Sequence, residues 1–288
     1  MNNIDRVFLN GNFVNSDEAR VSAFDRGFIF GDGVYEVIPV FGGRAFRLEA
    51  HLQRLDNNLA ELGIKLDMNH QQWADILDQL AGSNNEDQSV YIQVTRGPAA
   101  RDHVFPDSSK PTVFAYTQTL KYPGSTTLET GVSAVTAEDI RWSRCDIKAI
   151  ALLASVLLRQ EAKQQGAVEA ILLRDHMLTE GAASNIFIVK DGIIATTGKG
   201  RFILPGITRD LVVELAQANN IPMEQRDISE TELRNADEIW MTSSTKEVLP
   251  ITTLDGKAVA NGKPGAMHAR MLDIYRQYKD RFRNGEVE

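Results

Sequence analysis

Leucines recur at intervals of four, three, four and three residues between Leu48 and Leu62. This spacing places them on one side of an α-helix, and Gly63, directly after the last leucine, is a common helix terminator. The spacing therefore predicts an amphipathic helix whose leucine side belongs to a core. A similar apolar pattern predicts a second helix over residues 71–80, ending before Gly82.

Segments rich in β-branched and aromatic residues surround these helices. Asn10-Gly11 is the pair favoured in a two-residue type I′ turn, so it predicts a β-hairpin between residues 7–9 and 13–14. The glycines of residues 24–33 predict a tight loop that leads into a strand over residues 34–40. Further strands are predicted over residues 89–95, 112–119, 132–137, 169–173, 185–189, 193–196 and 238–242, and further helices over residues 211–218 and 267–282.

The length of 288 residues indicates about two domains. Residues 121–125, which include Pro123 and Gly124, are the predicted linker between a smaller domain over residues 1–120 and a larger one over residues 126–288. No apolar run reaches the roughly 18 residues that a membrane span requires. We therefore expect no membrane partner.

Charge and cysteine content exclude several other classes. The net charge of −8 and the absence of a basic stripe argue against a nucleic-acid partner. The single cysteine, Cys145, excludes an internal disulfide and fits a reducing, cytoplasmic location. The five histidines lack metal-ligand spacing, so no metal site is predicted.

Lys148 joins a polar, turn-like run to a long apolar segment. The segment from Ile150 to Leu158 is apolar on most sides, which predicts a buried helix that begins beside Lys148 and ends at Gly166. Burial disfavours the ammonium form and favours a neutral amine, which can attack carbonyl groups. The alternative is that Lys148 extends to water or pairs with Asp146.

Three loops contain further candidate residues. Gly206 precedes a predicted helix whose N-cap would be Thr208, an arrangement that can bind phosphate. Glu180 is predicted to lie in a loop of small residues between two strands. Arg101 and His103 alternate in the long loop of residues 96–106 and could face the same anion. Taken singly, each of these also fits an ordinary solvated loop.

Together these motifs resemble the fold-type-IV pyridoxal-phosphate aminotransferases, the branched-chain aminotransferase-like class IV, over nearly the whole chain. The Arg101-Asp102-His103 loop, together with Tyr35 and residues 141–148, is most similar to the D-amino acid aminotransferases. The matching segments, in order, are Phe30-Gly31-Asp32-Gly33-Val34-Tyr35-Glu36, the helix with Arg54, Arg141-Trp142 through Lys148, Thr179-Glu180-Gly181, Ser184-Asn185, Leu204-Pro205-Gly206-Ile207-Thr208-Arg209 and Thr242-Ser243-Ser244.

The resemblance implies an α+β fold with a small N-terminal antiparallel-sheet domain, a larger C-terminal pseudo-barrel domain and pyridoxal 5′-phosphate at their interface. Lys148 would hold the cofactor as a Schiff base and also act as the acid and base, while Glu180 would keep the pyridine nitrogen protonated. An amino group would pass between D-amino acids and 2-keto acids by a ping-pong mechanism.

The resemblance also implies the remaining site residues. Those expected to bind the cofactor are Arg54, Leu204, Ile207, Thr208, Ser243 and Ser244. Those expected to bind the substrate, mainly its α-carboxylate, are Tyr35, Val37, Arg101 and His103. In the family the Arg101 and His103 loop is contributed by the neighbouring subunit, so the resemblance implies a homodimer with a shared active site.

The sequence departs from the D-specific pattern at two places. Ala182-Ala183-Ser184 stands where a serine run is common, and Pro39 stands where a basic or polar residue is common. Both departures leave the lysine chemistry intact but bear on substrate range. The alternatives are an L-branched-chain or R-selective amine transaminase on the same fold, or an aminodeoxychorismate-type lyase.

Overall fold

The computed structural model describes residues 4–82 and 86–287. The chain divides into two compact units, Met1–Leu120 with Ile147–Ala151 and Arg281–Glu288, and Lys121–Asp146 with Leu152–Asp280. The predicted linker at residues 121–125 stays a prediction. The short segment with Lys148 belongs to the first unit, although its sequence neighbours on both sides belong to the second.

The first unit is a six-stranded antiparallel sheet with two longer helices, and its strand order is β2-β1-β6-β5-β3-β4. Its elements are β1 (Arg6–Leu9), β2 (Asn12–Asn15), α1 (Arg26–Phe30), β3 (Gly33–Phe41), β4 (Arg44–Ala45), α2 (Leu48–Glu61), α3 (His70–Ala81), β5 (Gln88–Thr95) and β6 (Thr112–Thr119).

The local patterns of this unit produce the expected elements. Asn10 and Gly11 both have positive φ, at 50° and 93°, and they close the predicted hairpin. The leucines of α2 pack with α3 and with the inward side chains of β3 and β5 in one core. The prediction of this hairpin and of both helices is therefore confirmed.

The second unit is built on a nine-stranded mixed sheet with the order β12-β11-β10-β13-β14-β7-β8-β9, and β15 also pairs with β14. Together with the first unit it confirms the α+β class. Its elements are α4 (Ser125–Thr130), β7 (Val132–Glu138), α5 (Leu153–Gln164), β8 (Glu169–Arg174), β9 (Met177–Gly181), β10 (Asn185–Lys190), β11 (Ile193–Thr196), α6 (Ile207–Ala218), β12 (Met223–Gln225), α7 (Glu230–Arg234), β13 (Glu238–Ser243), β14 (Glu247–Leu254), β15 (Lys257–Ala258) and α8 (Ala266–Arg283).

Some local predictions are wrong. The glycine-rich stretch before β3 contains α1, whose N-cap Asp25 accepts a hydrogen bond from the backbone of Gly27. Glu180 lies on β9 and not in a loop. Helix α6 begins at Ile207 after Gly206, so Thr208 is in its first turn and is not its N-cap.

The helix after Lys148 also differs from the prediction. Helix α5 starts only at Leu153, and just Leu158 and Ala162 of its side chains are buried. Leu153 and Val156 are 72% and 58% exposed, so the helix is not buried in this chain. The apolar pattern thus reflects an outward face of α5.

His70, the first residue of α3, joins that helix to α2 through two carboxylates. Its Nδ1 lies 2.9 Å from Glu49 Oε2 and its Nε2 lies 2.8 Å from Asp56 Oδ2. The hydrogen bond with Asp56, and then the one with Glu49, raise the pKa of His70. Because the folded-state pKa is raised, the stabilisation is complete below the unfolded value of about 6.5 and is lost as pH rises through the folded value.

We expect His70→Gln to lower the free energy of unfolding by about 0.5–1 kcal/mol at pH 5.5, a small value because the cluster is partly exposed. The difference from wild type should shrink at pH 8.5, where the wild-type imidazole is neutral. Urea unfolding at the two pH values measures this. An equal difference at both would show that the charge of His70 is not the source.

Candidate active site

Lys148 extends the sheet of the first unit beside β3. The N–H of Tyr35 donates to the carbonyl oxygen of Lys148 at 3.0 Å, and Ala149 bridges to Val34. Ile147 and Ala149 are buried in the core of this unit, whereas Lys148 is half-buried. Its Nζ lies 4.2 Å from the centroid of the Tyr35 ring. The backbone therefore places the amine beside Tyr35, on the face opposite the core.

Val37, like Tyr35, lies on the face of β3 that is opposite the core. Like Tyr35 it is half-buried, while the alternate residues Val34, Glu36 and Ile38 are fully buried. Val37 pairs in register with Tyr91, whose ring stacks 5.6 Å from that of Tyr35. The predicted substrate residues Tyr35 and Val37 thus lie on one face with an aromatic neighbour.

Arg54 is held by a fully buried carboxylate that the sequence did not assign to the site. Glu36 accepts hydrogen bonds from Arg54 Nε at 2.7 Å and Nη2 at 2.8 Å, and His51 Nδ1 lies 2.7 Å from Glu36 Oε2. Burial acts to raise the pKa of Glu36, but the charge and hydrogen bonds of Arg54, with His51, lower it to about 2. The ion pair fixes the guanidinium of Arg54.

His51 completes this cluster as a neutral ring. Burial lowers its pKa, and the nearby charges of Arg54 and Lys148 act in the same direction, against the opposing effect of Glu36. His51 and Arg54 are three residues apart on α2, so they share a side of the helix. That spacing was the available sequence signal, but the partner Glu36 lies on another element.

Two of the predicted carboxylate-binding residues, Arg101 and His103, lie beside one aromatic ring in the first unit. The guanidinium carbon of Arg101 and the ring of His103 each lie 5.5 Å from the centroid of Phe30, and both residues are exposed. Arg26, which is buried, donates to the carbonyl oxygen of Asp102 and pairs with Asp32 at 2.7 Å. Arg26 therefore anchors the backbone between Arg101 and His103, a role that the sequence analysis missed.

Glu180, in the second unit, is buried among hydrogen-bond donors. Asn185 Nδ2 donates to its Oε2 at 2.9 Å, the N–H of Leu204 lies 3.1 Å from both oxygens, and Arg141 Nη1 donates to Oε1. Burial raises the pKa of Glu180 to about 7, although the charge and hydrogen bond of Arg141 oppose the shift. Three different groups therefore hold the two oxygens of Glu180 in place.

Arg141 holds Glu180 in place, a contact that the sequence analysis did not predict. Besides Glu180 it pairs with Asp139, through Nε at 2.9 Å and Nη2 at 2.9 Å. Thr179 Oγ1 also donates to Asp139 at 3.0 Å. The guanidinium of Arg141 thus donates to two carboxylates, and this fixes the position of Glu180.

The N-terminus of α6 has the donors that a phosphate requires. No side chain caps the helix at Gly206, so the N–H groups of its first turn, including those of Ile207 and Thr208, have no partner within the helix. A Cβ at Gly206 would lie 2.0 Å from Asn185 Oδ1, so the close approach requires glycine. The Thr208 hydroxyl shares a hydrogen bond with Tyr275.

The end of β13 lies beside this helix terminus, because Thr242 pairs in register with Asn185. Within residues 4–82 and 86–287, the buried hydroxyl oxygens of Thr242 and Ser243 have no hydrogen-bond partner. Ser244 follows in the turn and is half-buried. Unpaired buried hydroxyls beside free N–H groups suit an anionic ligand with several oxygen acceptors.

Comparison with known proteins places these residues in a family. Residues 33–254 match the model of Amino-transferase class IV. The chain belongs to this family. It is therefore a pyridoxal 5′-phosphate-dependent transaminase, as the motifs predicted.

This class IV chain has relatives along almost its whole length. It is 41% identical to a D-alanine aminotransferase of Bacillus licheniformis over 91% of the chain and 93% of the relative, and 40% identical to one of Staphylococcus aureus (strain MW2) over 96% and 98%. The structure of a branched-chain amino acid aminotransferase from Escherichia coli matches with a TM-score of 0.86 and 25% identity, over 99% of this chain and 96% of that one.

The donor set of the class IV enzyme fits its cofactor. A phosphate suits the α6 terminus with Ser243, and Glu180 offers a carboxylate for a ring nitrogen. Lys148 offers an amine for an aldehyde. In the described part of the chain no group of three or more histidine, cysteine or acidic side chains could hold a metal ion. None of the helices in the same residues has both the length and the apolar character to cross a membrane.

Proposed function

We propose that this class IV enzyme is a D-amino acid aminotransferase that moves an amino group between D-amino acids and 2-keto acids by a ping-pong mechanism. The observation that carries the proposal is the likeness to D-alanine aminotransferases, at 40–41% identity over more than nine-tenths of the chain. Tyr35, Arg101 and His103 support it, because they supply a phenol, a guanidinium and an imidazole for a carboxylate.

Lys148 is the proposed nucleophile and proton carrier. Its Nζ would hold the cofactor through the aldehyde, and as a free neutral amine it would take the substrate α-proton and give it back later in the reaction. When bound, pyridoxal phosphate supplies an electron sink for the pair of electrons that the α-proton leaves behind. The ring of Tyr35, 4.2 Å from Nζ, restricts the positions that the amine can adopt.

Glu180 is the proposed partner of the cofactor's pyridine nitrogen. A carboxylate at this position favours a protonated nitrogen, and a protonated ring withdraws electrons more strongly. Arg141, Asn185 and the N–H of Leu204 hold both oxygens of Glu180 in place. Arg54, Ile207, Thr208, Ser243 and Ser244 are the proposed phosphate ligands.

We further propose a cytoplasmic homodimer in which the loop of Arg101 and His103 completes the neighbouring subunit's site. Two sets of exposed apolar side chains support a self-association surface. Phe28 and Val104 in the first unit are 79% and 74% exposed. In the second unit Leu153, Val156 and Leu157 form one exposed apolar side of α5.

The direct test has two parts. Half-reactions with D-alanine, L-leucine or R-1-phenylethylamine alone are followed by the cofactor's absorbance, and steady-state turnover of each donor is then measured with 2-oxoglutarate as the acceptor. D-alanine should convert the cofactor fully, and L-leucine should not. Turnover of L-leucine or of the amine without D-alanine would overturn the assignment in favour of those transaminases. Pyruvate formed from aminodeoxychorismate without an acceptor would indicate a lyase.

Arg101→Ala should raise the KM for D-alanine by about tenfold to a hundredfold, because a charge-assisted bond to a carboxylate contributes about 1.5–3 kcal/mol. The apparent affinity for an amine without a carboxylate should change little. Steady-state kinetics with both donors measure this, and Arg201→Ala, at an exposed arginine of the second unit, is the matched control. An equal loss for both donors would count against carboxylate binding by Arg101.

A further inference from the structure

Glu169 on β8 is a fully buried carboxylate that the proposed chemistry does not use. Its Oε2 accepts a hydrogen bond from Ser184 Oγ at 2.9 Å and pairs with Arg159 Nη1 at 3.1 Å. Lys246 Nζ lies 4.0 Å from the same oxygen. Three groups from three separate elements thus meet at one atom, and the other oxygen accepts from the N–H of Ala170 at 3.1 Å.

Two of these groups belong to turns that contain or directly follow proposed cofactor residues. Ser184 lies in the turn between Glu180 and Asn185, which we call the first turn. Lys246 ends the turn of residues 243–246, which we call the second turn, and its N–H donates to the carbonyl oxygen of Ser243. Because Asn185 pairs with Thr242, the two turns lie at the same end of two neighbouring strands.

The first turn is packed closely onto the carboxylate. A Cβ at Gly181 would lie 2.3 Å from Ser184 Oγ and 3.2 Å from Glu169 Cγ, so the contact leaves no space for a side chain. Ala182 and Ala183 have no hydroxyl, so the side-chain hydrogen bond from this turn to Glu169 comes from Ser184 alone.

Lys246 is the cation that the second turn places beside Glu169. Its ammonium is half-buried, and burial lowers the pKa of Lys246 while the charge of Glu169 opposes the shift. Arg159, the other cation on Glu169, reaches it from α5 and touches neither turn through this contact. The cluster therefore offers one partner on each turn and one partner outside both.

We propose that Glu169, through Ser184 and Lys246, is a positioning residue that holds the first and second turns in the relative placement that cofactor binding requires. The inference rests on the proposed roles of Glu180, Ser243 and Ser244. It assigns Lys246 a role that Arg159 does not share, although both lie on the same carboxylate oxygen.

The test measures two quantities for the full-length apoenzyme and for each variant. One is the affinity for pyridoxal 5′-phosphate, and the other is the melting temperature in the absence of cofactor. Lys246→Met should weaken cofactor binding by about tenfold or more, in the range found for residues that orient ligand-binding groups. Lys246→Arg, which keeps the charge, should restore most of the affinity. Arg159→Met should weaken binding much less than Lys246→Met even where the two lower the melting temperature equally.

Lys190→Met is the surface control, because Lys190 forms an exposed ion pair with Asp237 in the same unit. It should bind the cofactor as wild type does. Equal losses of affinity in Lys246→Met and Arg159→Met, or no recovery in Lys246→Arg, would overturn the inference. If Lys246→Met does not fold, Ser184→Ala replaces it, and wild-type affinity in that variant would overturn the inference as well.

The result for wild type separates the two levels of the proposal. A wild-type apoenzyme that fails to bind pyridoxal 5′-phosphate would overturn the proposed function together with the inference. If wild type binds the cofactor but the affinities of the variants simply follow their melting temperatures, only the positioning role of Glu169 is overturned.

Discussion

Lys148→Ala should lose transamination by at least about a thousandfold, together with the visible absorption band of the lysine-bound cofactor. The variant lacks the proposed nucleophile and proton carrier, and positioned acid–base groups contribute about 10²–10⁴ in rate. Spectra of the purified enzyme, and single-turnover half-reactions with D-alanine, measure the two losses. Because Ile147 and Ala149 hold the backbone in the core, the variant should still fold.

Added primary amines sharpen this test. Methylamine should restore part of the proton-transfer rate in Lys148→Ala, since it supplies the missing amine, and it should leave wild type unchanged. Lys190→Met, at an exposed lysine, should keep both the band and the rate. Without added amine, a band in Lys148→Ala that borohydride reduces to a cofactor covalently attached to the protein would mean that another lysine holds the cofactor.

The elements that could be predicted are those set by neighbouring residues. Asn10-Gly11 determines its own turn, and the leucine spacing of α2 determines which side of that helix is buried. Such patterns need no information from distant parts of the chain. The strands of the first unit were predicted to within one residue at most ends for the same reason.

The errors arise where burial depends on distant residues. The apolar residues of α5 predicted a buried helix, yet Leu153 is 72% exposed, because an apolar helix face has the same local pattern whether or not this chain buries it. Glu180 shows the opposite error, because it was predicted to lie in a loop and is instead buried on β9. Its strand β9 is only five residues long, and its charge partner Arg141 precedes it by 39 positions, so nothing next to Glu180 indicates a buried site.

The site residues show the same division. The assignments of Lys148, Glu180 and the proposed phosphate ligands rest on the resemblance to a family, because each local pattern also fits a solvated loop. The groups that hold them, such as Glu36 for Arg54, could not be inferred from spacing. A strand residue and a helix residue meet only after the sheet and the helices have packed.

Glu36→Gln should lower the free energy of unfolding of the apoenzyme by about 3–5 kcal/mol at pH 7, because it leaves Arg54 buried with an uncompensated charge. The sign of the pH dependence is fixed by the lowered pKa. Glu36 stabilises the fold above its unfolded value of 4.5, and this contribution is lost as pH falls toward about 2. Denaturant unfolding of wild type and variant at pH 7 and pH 3.5 should therefore show a smaller difference at the lower pH.

A double variant separates stability from cofactor binding at this ion pair. Glu36→Leu with Arg54→Leu removes both charges, and replacing a buried pair by apolar residues often costs little stability, so most of the loss in Glu36→Gln should be recovered. Affinity for pyridoxal 5′-phosphate should not recover, because Arg54, the cation proposed to bind the phosphate, is absent. Glu49→Gln, on the exposed side of α2, should change neither quantity by much. If the double variant bound the cofactor like wild type, Arg54 would be a structural partner of Glu36 and not a phosphate ligand.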